Sequence, residues 1–242
     1  MTATRTSIGF SGVLNIGRFG TGDAAGTLSS PTIAFNTGSG RINFNQADTT
    51  TISSAISGTG SLYQLGSGTT ILTGHNTYTG TTVVQNGTLL VEGQGGLGDV
   101  AVSAGGVIGG AGSLGGSLFL DSGARLLFRQ GQPLTVNGAS VTFGGFDIAD
   151  LVGLDGTVPL GAYTIINGAA AIDFSNLHHV GESNAYDIGG GKRAFFSSGS
   201  LIVNVVPEPG TCIMALAGLA CGGFSLRRRS APCDAAAAIS RR

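Results

Sequence analysis

No cysteine occurs in the first 211 residues of this 242-residue chain; the three present stand at positions 212, 221 and 233. A body without cysteine holds neither a disulfide framework nor a Cys-ligated zinc. Charge is scarce as well: charged residues make up 10% of the chain and the net charge is −1. The arginines cluster only near the C-terminus, so the electrostatic basis for binding nucleic acid is missing. Low charge together with 41% apolar residues argues against disorder, which needs the opposite balance. Only six prolines accompany 44 glycines, and no triplet period links them, which excludes a collagen helix. The first twenty residues lack the apolar core and cleavage site of a signal peptide. Strand-like alternation is already under way at Ile8, Phe10, Val13, Leu14 and Ile16, so the reading expects a truncated start.

What fills the chain instead is one repeated phrase, a glycine-rich turn followed by a few residues alternating Thr, Val, Ile or Leu with polar ones. Gly66-Ser67-Gly68 leads into residues 69–73, Gly80 into 81–85, Asn86-Gly87 into 88–91, Gly98 into 99–103, Gly115-Gly116 into 117–120 and Gly123 into 124–128. Turns recur every eight to ten residues or so, the pattern of an all-β chain with short strands. Asn86-Gly87 alone would suit a hairpin, but the Gly-Gly and Gly-Ser-Gly joints lack partners of matched length. A parallel β-helix accommodates them better. Glycine supplies φ > 0 at its corners, inward Val, Ile and Leu stack coil on coil, and outward Thr and Asn continue the stack as hydrogen-bonded ladders.

One stretch is more specific. Residues 58–74 lead into His75-Asn76-Thr77-Tyr78-Thr79-Gly80-Thr81-Thr82-Val83-Val84 and then Asn86-Gly87-Thr88-Leu89-Leu90-Val91. This resembles the autotransporter-associated β-strand repeat of bacterial passenger domains. The resemblance implies a right-handed β-helix exported to the cell surface, although no C-terminal outer-membrane barrel follows. On this reading residues 1–57 are N-terminal solenoid coils, 58–145 the repeat region, and 146–206 a β cap closing the last coil. In that final segment residues 162–166, 185–188, 194–196 and 200–206 read as strands.

The end of the chain carries a second motif. Pro207-Glu208-Pro209 is followed by sixteen uncharged residues, 211–226, and by Arg227, Arg228 and Arg229. Two prolines fix φ and remove backbone donors, so the motif is expected to be extended and outside any sheet or helix. An uncharged run ending in arginines has the form of a membrane helix with its positive end in the cytoplasm. It is shorter than the ~20 residues of a full span, a deficit met by local thinning and snorkelling arginines. Cys212 and Cys221 read as small apolar residues of that helix. The three parts together resemble the PEP-CTERM sorting signal. That resemblance implies transient anchoring in the inner membrane of a Gram-negative-type bacterium, cleavage by an exosortase near the motif, and release to the envelope or extracellular matrix. Residues 207–229 are then the sorting signal and 230–242 a disordered tail, an extension past the point where such signals usually stop.

Candidate chemistry is sparse. Gly95-Gly96-Leu97-Gly98-Asp99 is one defective copy of a calcium-binding nonapeptide, which works only as a stacked array. His178, His179 and Glu182 carry metal-ligand chemistry, but adjacent strand residues face opposite sides, so the pair reads as an exposed polar turn. His75 reads as a solvent-facing corner. Asp147, Asp150 and Asp155, with Arg125 and Arg129 upstream, are the one dense acidic group. Paired carboxylates about 5–9.5 Å apart would suit glycoside hydrolysis. No Gly-x-Ser-x-Gly elbow is present. The sequence therefore points to a non-enzymatic structural or adhesive surface protein, with no catalytic residues, no metal and no cofactor. Its expected partners are an exosortase, the inner membrane and extracellular polysaccharide. A polysaccharide-active β-helix enzyme is the alternative.

Overall fold

The computed structural model describes residues 5–17, 28, 30–36, 38–168, 171–198 and 200–208. Strands Thr69–Leu72, Thr82–Val84, Gly87–Val91, Val100–Val102, Leu118–Leu120 and Arg125–Leu127 form where the glycine-led phrases place them. None pairs with its chain neighbour as a hairpin. Each instead pairs in parallel with the equivalent strand one coil away, giving a parallel β-solenoid. One sheet stacks eight strands, from Val13–Ile16 through Arg41–Phe44 and Ser61–Gln64 to Ser140–Phe143 and Ala171–Asp173. A second stacks six, from Thr49–Ile52 to Leu151–Val152. A third side is built from Thr6–Ile8, Thr32–Phe35 and Ala55–Ser57 at one end and Ser113–Leu114, Leu134–Val136 and Ile166–Asn167 at the other. Single bridges through His75, Gln94 and Ser113 carry that side across the middle.

Register fixes the coil length. Ile42, Leu62, Thr82, Val100, Leu118 and Val141 occupy one position of the ladder. A coil therefore takes 18 to 23 residues, or about two of the turn spacings visible in the sequence. The side chains at this position are all buried, because strand alternation sends every second residue inward. Each buried Val or Leu contributes about 1.5–3 kcal/mol, and the neighbouring coil supplies the surface it is buried against.

Polar residues also line the interior, several of them bonded to one another or to the backbone of an adjacent coil. The Thr70 hydroxyl donates to Gln64 Oε1 at 2.6 Å and accepts from Gln46 Nε2 at 2.8 Å. Asn76, within the repeat's most specific segment, accepts from the Ile56 N–H at 3.0 Å and donates to the Gln94 carbonyl at 2.8 Å. It thus ties three coils through one amide. Tyr78 is fully buried with its hydroxyl 2.6 Å from Thr82 Oγ1, and burial pushes its phenol pKa up. Asn76 and Tyr78, which the sequence shows only as part of the repeat's motif, are internal fastenings. Phe10, counted in the early alternation, is instead 78% exposed in the bend between Thr6–Ile8 and Val13–Ile16.

Glycine serves two purposes. At Gly58 (φ +98°) and Gly87 (φ +64°) it supplies the left-handed backbone that a corner demands. The larger need is close approach. A β-carbon at Gly80 would lie 2.2 Å from the Gly60 carbonyl oxygen, one at Gly98 2.2 Å from that of Gly80, and one at Gly116 2.2 Å from that of Gly98. Gly138 continues the column, its β-carbon position 2.1 Å from the Gly116 carbonyl carbon. Gly80, Gly98, Gly116 and Gly138 do not adopt the left-handed backbone. They are glycine because the next coil's main chain occupies the side-chain space.

After the parallel coils the pairing changes sign. Gly161–Thr164, Ile202–Pro207, Lys192–Phe196 and Tyr186–Gly189 form a four-stranded antiparallel sheet in that order. It touches the coils through the Phe146–Phe196 ring pair, with centroids 6.2 Å apart, and through a bond from the Ile165 N–H to the Leu201 carbonyl. Among the described residues the only helical segments are two short 3-10 turns, Ile148–Asp150 and Glu182–Asn184. None is long and apolar enough to cross a membrane. The apolar run 211–226, Pro209, Arg227, Arg228 and Arg229 lie outside the described residues.

Candidate functional site

The strand Ile202–Pro207 delivers the Pro-Glu-Pro motif. Its inward residues Val203 and Val205 are buried, and it lies centrally between Gly161–Thr164 and Lys192–Phe196. The expectation that the motif stays out of any sheet is corrected here. Pro207 is the last residue of the strand, opposite Lys192, and the Glu208 N–H donates to the Gly191 carbonyl at 2.9 Å. That bond fixes the phase of the ladder. Pro207 occupies a non-hydrogen-bonded position, so its missing donor would have pointed away from Lys192. On that far flank pairing has already stopped, the last partners being Gly161 and Val205. The proline is tolerated because it sits where a sheet leaves a flank unpaired.

Beside Pro207 lies a shallow groove of about 380 Å³, lined by Glu182, Ser183, Ala185, Arg193, Val206 and Pro207. Arg193 is already engaged, its guanidinium donating to the Ala185 carbonyl through Nε at 3.1 Å and through a second, shorter bond.

The acidic group is occupied by local structure. Asp147 caps the turn Ile148–Asp150: its carboxylate accepts from the Ala149 N–H at 3.2 Å, while its own N–H donates to Asp150 Oδ2 at 2.9 Å. Asp155 closes another turn by accepting from the Thr157 N–H and hydroxyl at 2.8 and 2.6 Å, bonds that hold its pKa down. Arg129 pairs with Glu92. Asp99, from the calcium-like segment, accepts the Ser117 N–H of the next coil at 2.9 Å.

The histidine pair does not behave as an exposed turn throughout. His178 is exposed, but His179 is half-buried at φ +51° with Nδ1 2.8 Å from Asp147 Oδ1. Its ring also meets Tyr186 edge-on at 5.1 Å. The contact with Asp147 becomes an ion pair when the imidazole is protonated. His75 is exposed, as a corner residue should be. Among the described residues no three of His, Cys, Asp and Glu gather at a point where they could hold a metal ion.

Asp150 gives a pH dependence with a defined sign. Burial chiefly, with the Asp147 charge, raises its pKa above the ordinary 3.8, against the Asp147 N–H and the charges of Arg125 and His178. The folded state therefore binds this proton more tightly than the unfolded state. The resulting stability is complete below 3.8 and is lost as pH rises through the raised folded value. Asp150→Asn keeps an acceptor for the Asp147 N–H and should lose this part of the decline. Urea midpoints of both proteins measured across that window check it; identical slopes would refute the assignment.

Comparison with known proteins assigns two segments. Residues 62–91 match the passenger-associated-transport-repeat model, and residues 205–229 match the PEP-CTERM protein-sorting motif. The chain is also similar to the Adhesin BmaC autotransporter of Brucella suis biovar 1 (strain 1330), with 44% identity over 105 residues. That alignment covers 42% of this chain and 3% of the adhesin, so the chain spans a small fraction of the relative's length. Both resemblances read from the sequence are met.

Proposed function

We propose that this is a non-enzymatic structural or adhesive protein of the cell surface or extracellular matrix, sorted by an exosortase through Pro207, Glu208 and Pro209. The observation that carries the reading is the conjunction of a passenger-type repeat at 62–91 and a sorting motif at 205–229 in one chain. The similarity to a protein named as an adhesin supports the adhesive part. On this proposal the solenoid is right-handed, and the antiparallel sheet caps its last coil against edge-to-edge growth. Residues 211–226 hold the chain in the inner membrane with Arg227, Arg228 and Arg229 on the cytoplasmic side. The division at residues 57, 145, 206 and 229 then separates first coils, repeat coils, cap, signal and tail.

Asp147 and Asp150 are committed to one capping box, which supports the adhesive reading over the polysaccharide-active one. The test is a screen of the body against acidic and neutral polysaccharides. Saturable binding without turnover is the expected result. Turnover abolished by Asp147→Ala or Asp150→Ala would establish the enzyme instead.

A further inference from the structure

The sorting match begins at residue 205, so its first four residues, through Glu208, lie in or against the antiparallel sheet. Val205, Val206 and Pro207 pair with Ala194, Arg193 and Lys192, and Glu208 bonds the tip of the hairpin between Tyr186–Gly189 and Lys192–Phe196. The tip consists of Gly189, Gly190 and Gly191 at φ +83°, +62° and +68°, a run of left-handed residues that side chains would strain. It is held down from several directions. Lys192 Nζ donates to the Gly156 carbonyl at 2.8 Å and the Val158 carbonyl at 2.7 Å. Asp187 Oδ1 accepts the Gly189 N–H at 2.7 Å. Gly156 lies so close that a β-carbon on it would sit 2.4 Å from the Gly189 carbonyl oxygen. The Gly191 carbonyl, fixed in this way, receives the Glu208 N–H at 2.9 Å.

We propose that this glycine tip, clamped by Lys192, is a latch that holds the sorting motif in the sheet and sets the rate at which it is presented for cleavage. The inference rests on the exosortase reading above. A peptidase that grips an extended chain needs the backbone groups of that chain unpaired, and here the rung at Pro207 and Glu208 must open first. Local opening of this kind is governed by the few contacts that close the rung, not by the stability of the whole body. Lys192 acts here as a positioning residue: its ammonium bonds the loop at 156–158, and its effect reaches the motif through Gly191.

The test uses the full chain, given a signal peptide, in a host carrying an exosortase. Pulse-chase labelling follows conversion to the mature form. Lys192→Met removes two charge-assisted bonds and should speed cleavage about tenfold. Gly156→Ala, which pushes the tip away by bulk alone, should act in the same direction. Lys192→Arg, able to donate to both carbonyls, should restore the slow rate, a rescue that general destabilisation would not give. Hydrogen exchange at the Glu208 amide should be protected in the wild-type chain and lose protection in Lys192→Met. Unchanged cleavage in both the Met and Ala variants, or a Glu208 amide unprotected from the outset, would overturn the latch. A wild-type chain that is never cleaved would sink the sorting reading, while the exchange measurement would still decide the latch.

Discussion

Replacing Pro207, Glu208 and Pro209 together with alanine should abolish processing and leave the intact chain in the inner membrane of a host that carries an exosortase. The expected change is from nearly complete conversion to none. Three separate properties are lost at once. Pro207 ends the sheet on its open flank; on the proposed reading Glu208 holds a charge at the membrane interface, where burial in a membrane helix would be costly, and a proline at 209 has no backbone N–H to donate. Neutralising Arg227, Arg228 and Arg229 should act differently. It removes the charges that, on the proposed reading, orient residues 211–226 in the membrane, and should weaken retention before cleavage, leaving recognition at the motif in place. The deciding measurement is the mass of the mature C-terminus, on a chain supplied with a signal peptide. A mature wild-type protein still carrying Cys212 to Arg242 would mean a plain anchor.

Local order in this molecule was legible because it is written locally. A glycine-led turn followed by alternating Thr and Val residues specifies a strand wherever the next strand lies, and the strands at 69–72, 82–84 and 100–102 appear accordingly. The asparagine of the repeat was legible as a motif but not as a fastening, since its partners Ile56 and Gln94 belong to adjacent coils. Pro207 was misplaced for a related reason. Proline chemistry says that a donor is missing, but only the sheet register says on which side the gap falls. Pairing with Lys192 was not visible, although Gly189-Gly190-Gly191 between two alternating segments was a hairpin signal of the ordinary kind. The capping role of Asp147 could be read from its spacing to Asp150, whereas the approach of His179 needed the left-handed bend that brings the ring round.

The largest stability effect is expected at Gly98. Its column partners, Gly80 before it and Gly116 after it, approach through backbone atoms that have no rotamer to yield. A β-carbon there would stand 2.2 Å from the Gly80 carbonyl oxygen, well inside contact distance, so a coil must move away from its neighbour. Movement at one rung also strains the parallel bonds of Val100–Val102 to the strands on either side. Overpacking in a well-packed interior costs about 1–3 kcal/mol, occasionally more, and Gly98→Val should reach the upper end at about 3 kcal/mol. For a body of this size that corresponds to a fall of roughly 10 °C in melting temperature. Gly9→Ala is the matched control, because nothing lies within 4 Å of its β-carbon position; its effect should stay within about 0.5 kcal/mol. Thermal unfolding of chains ending at residue 208, followed by circular dichroism, separates the two, and the spectrum itself should be that of a β protein. If Gly98→Val melts with Gly9→Ala, the coils have slack between them and the glycine column is no more than a run of turns. If it melts far below, glycine content here is set by the distance between coils, and each repeat must keep its glycine in register with the last.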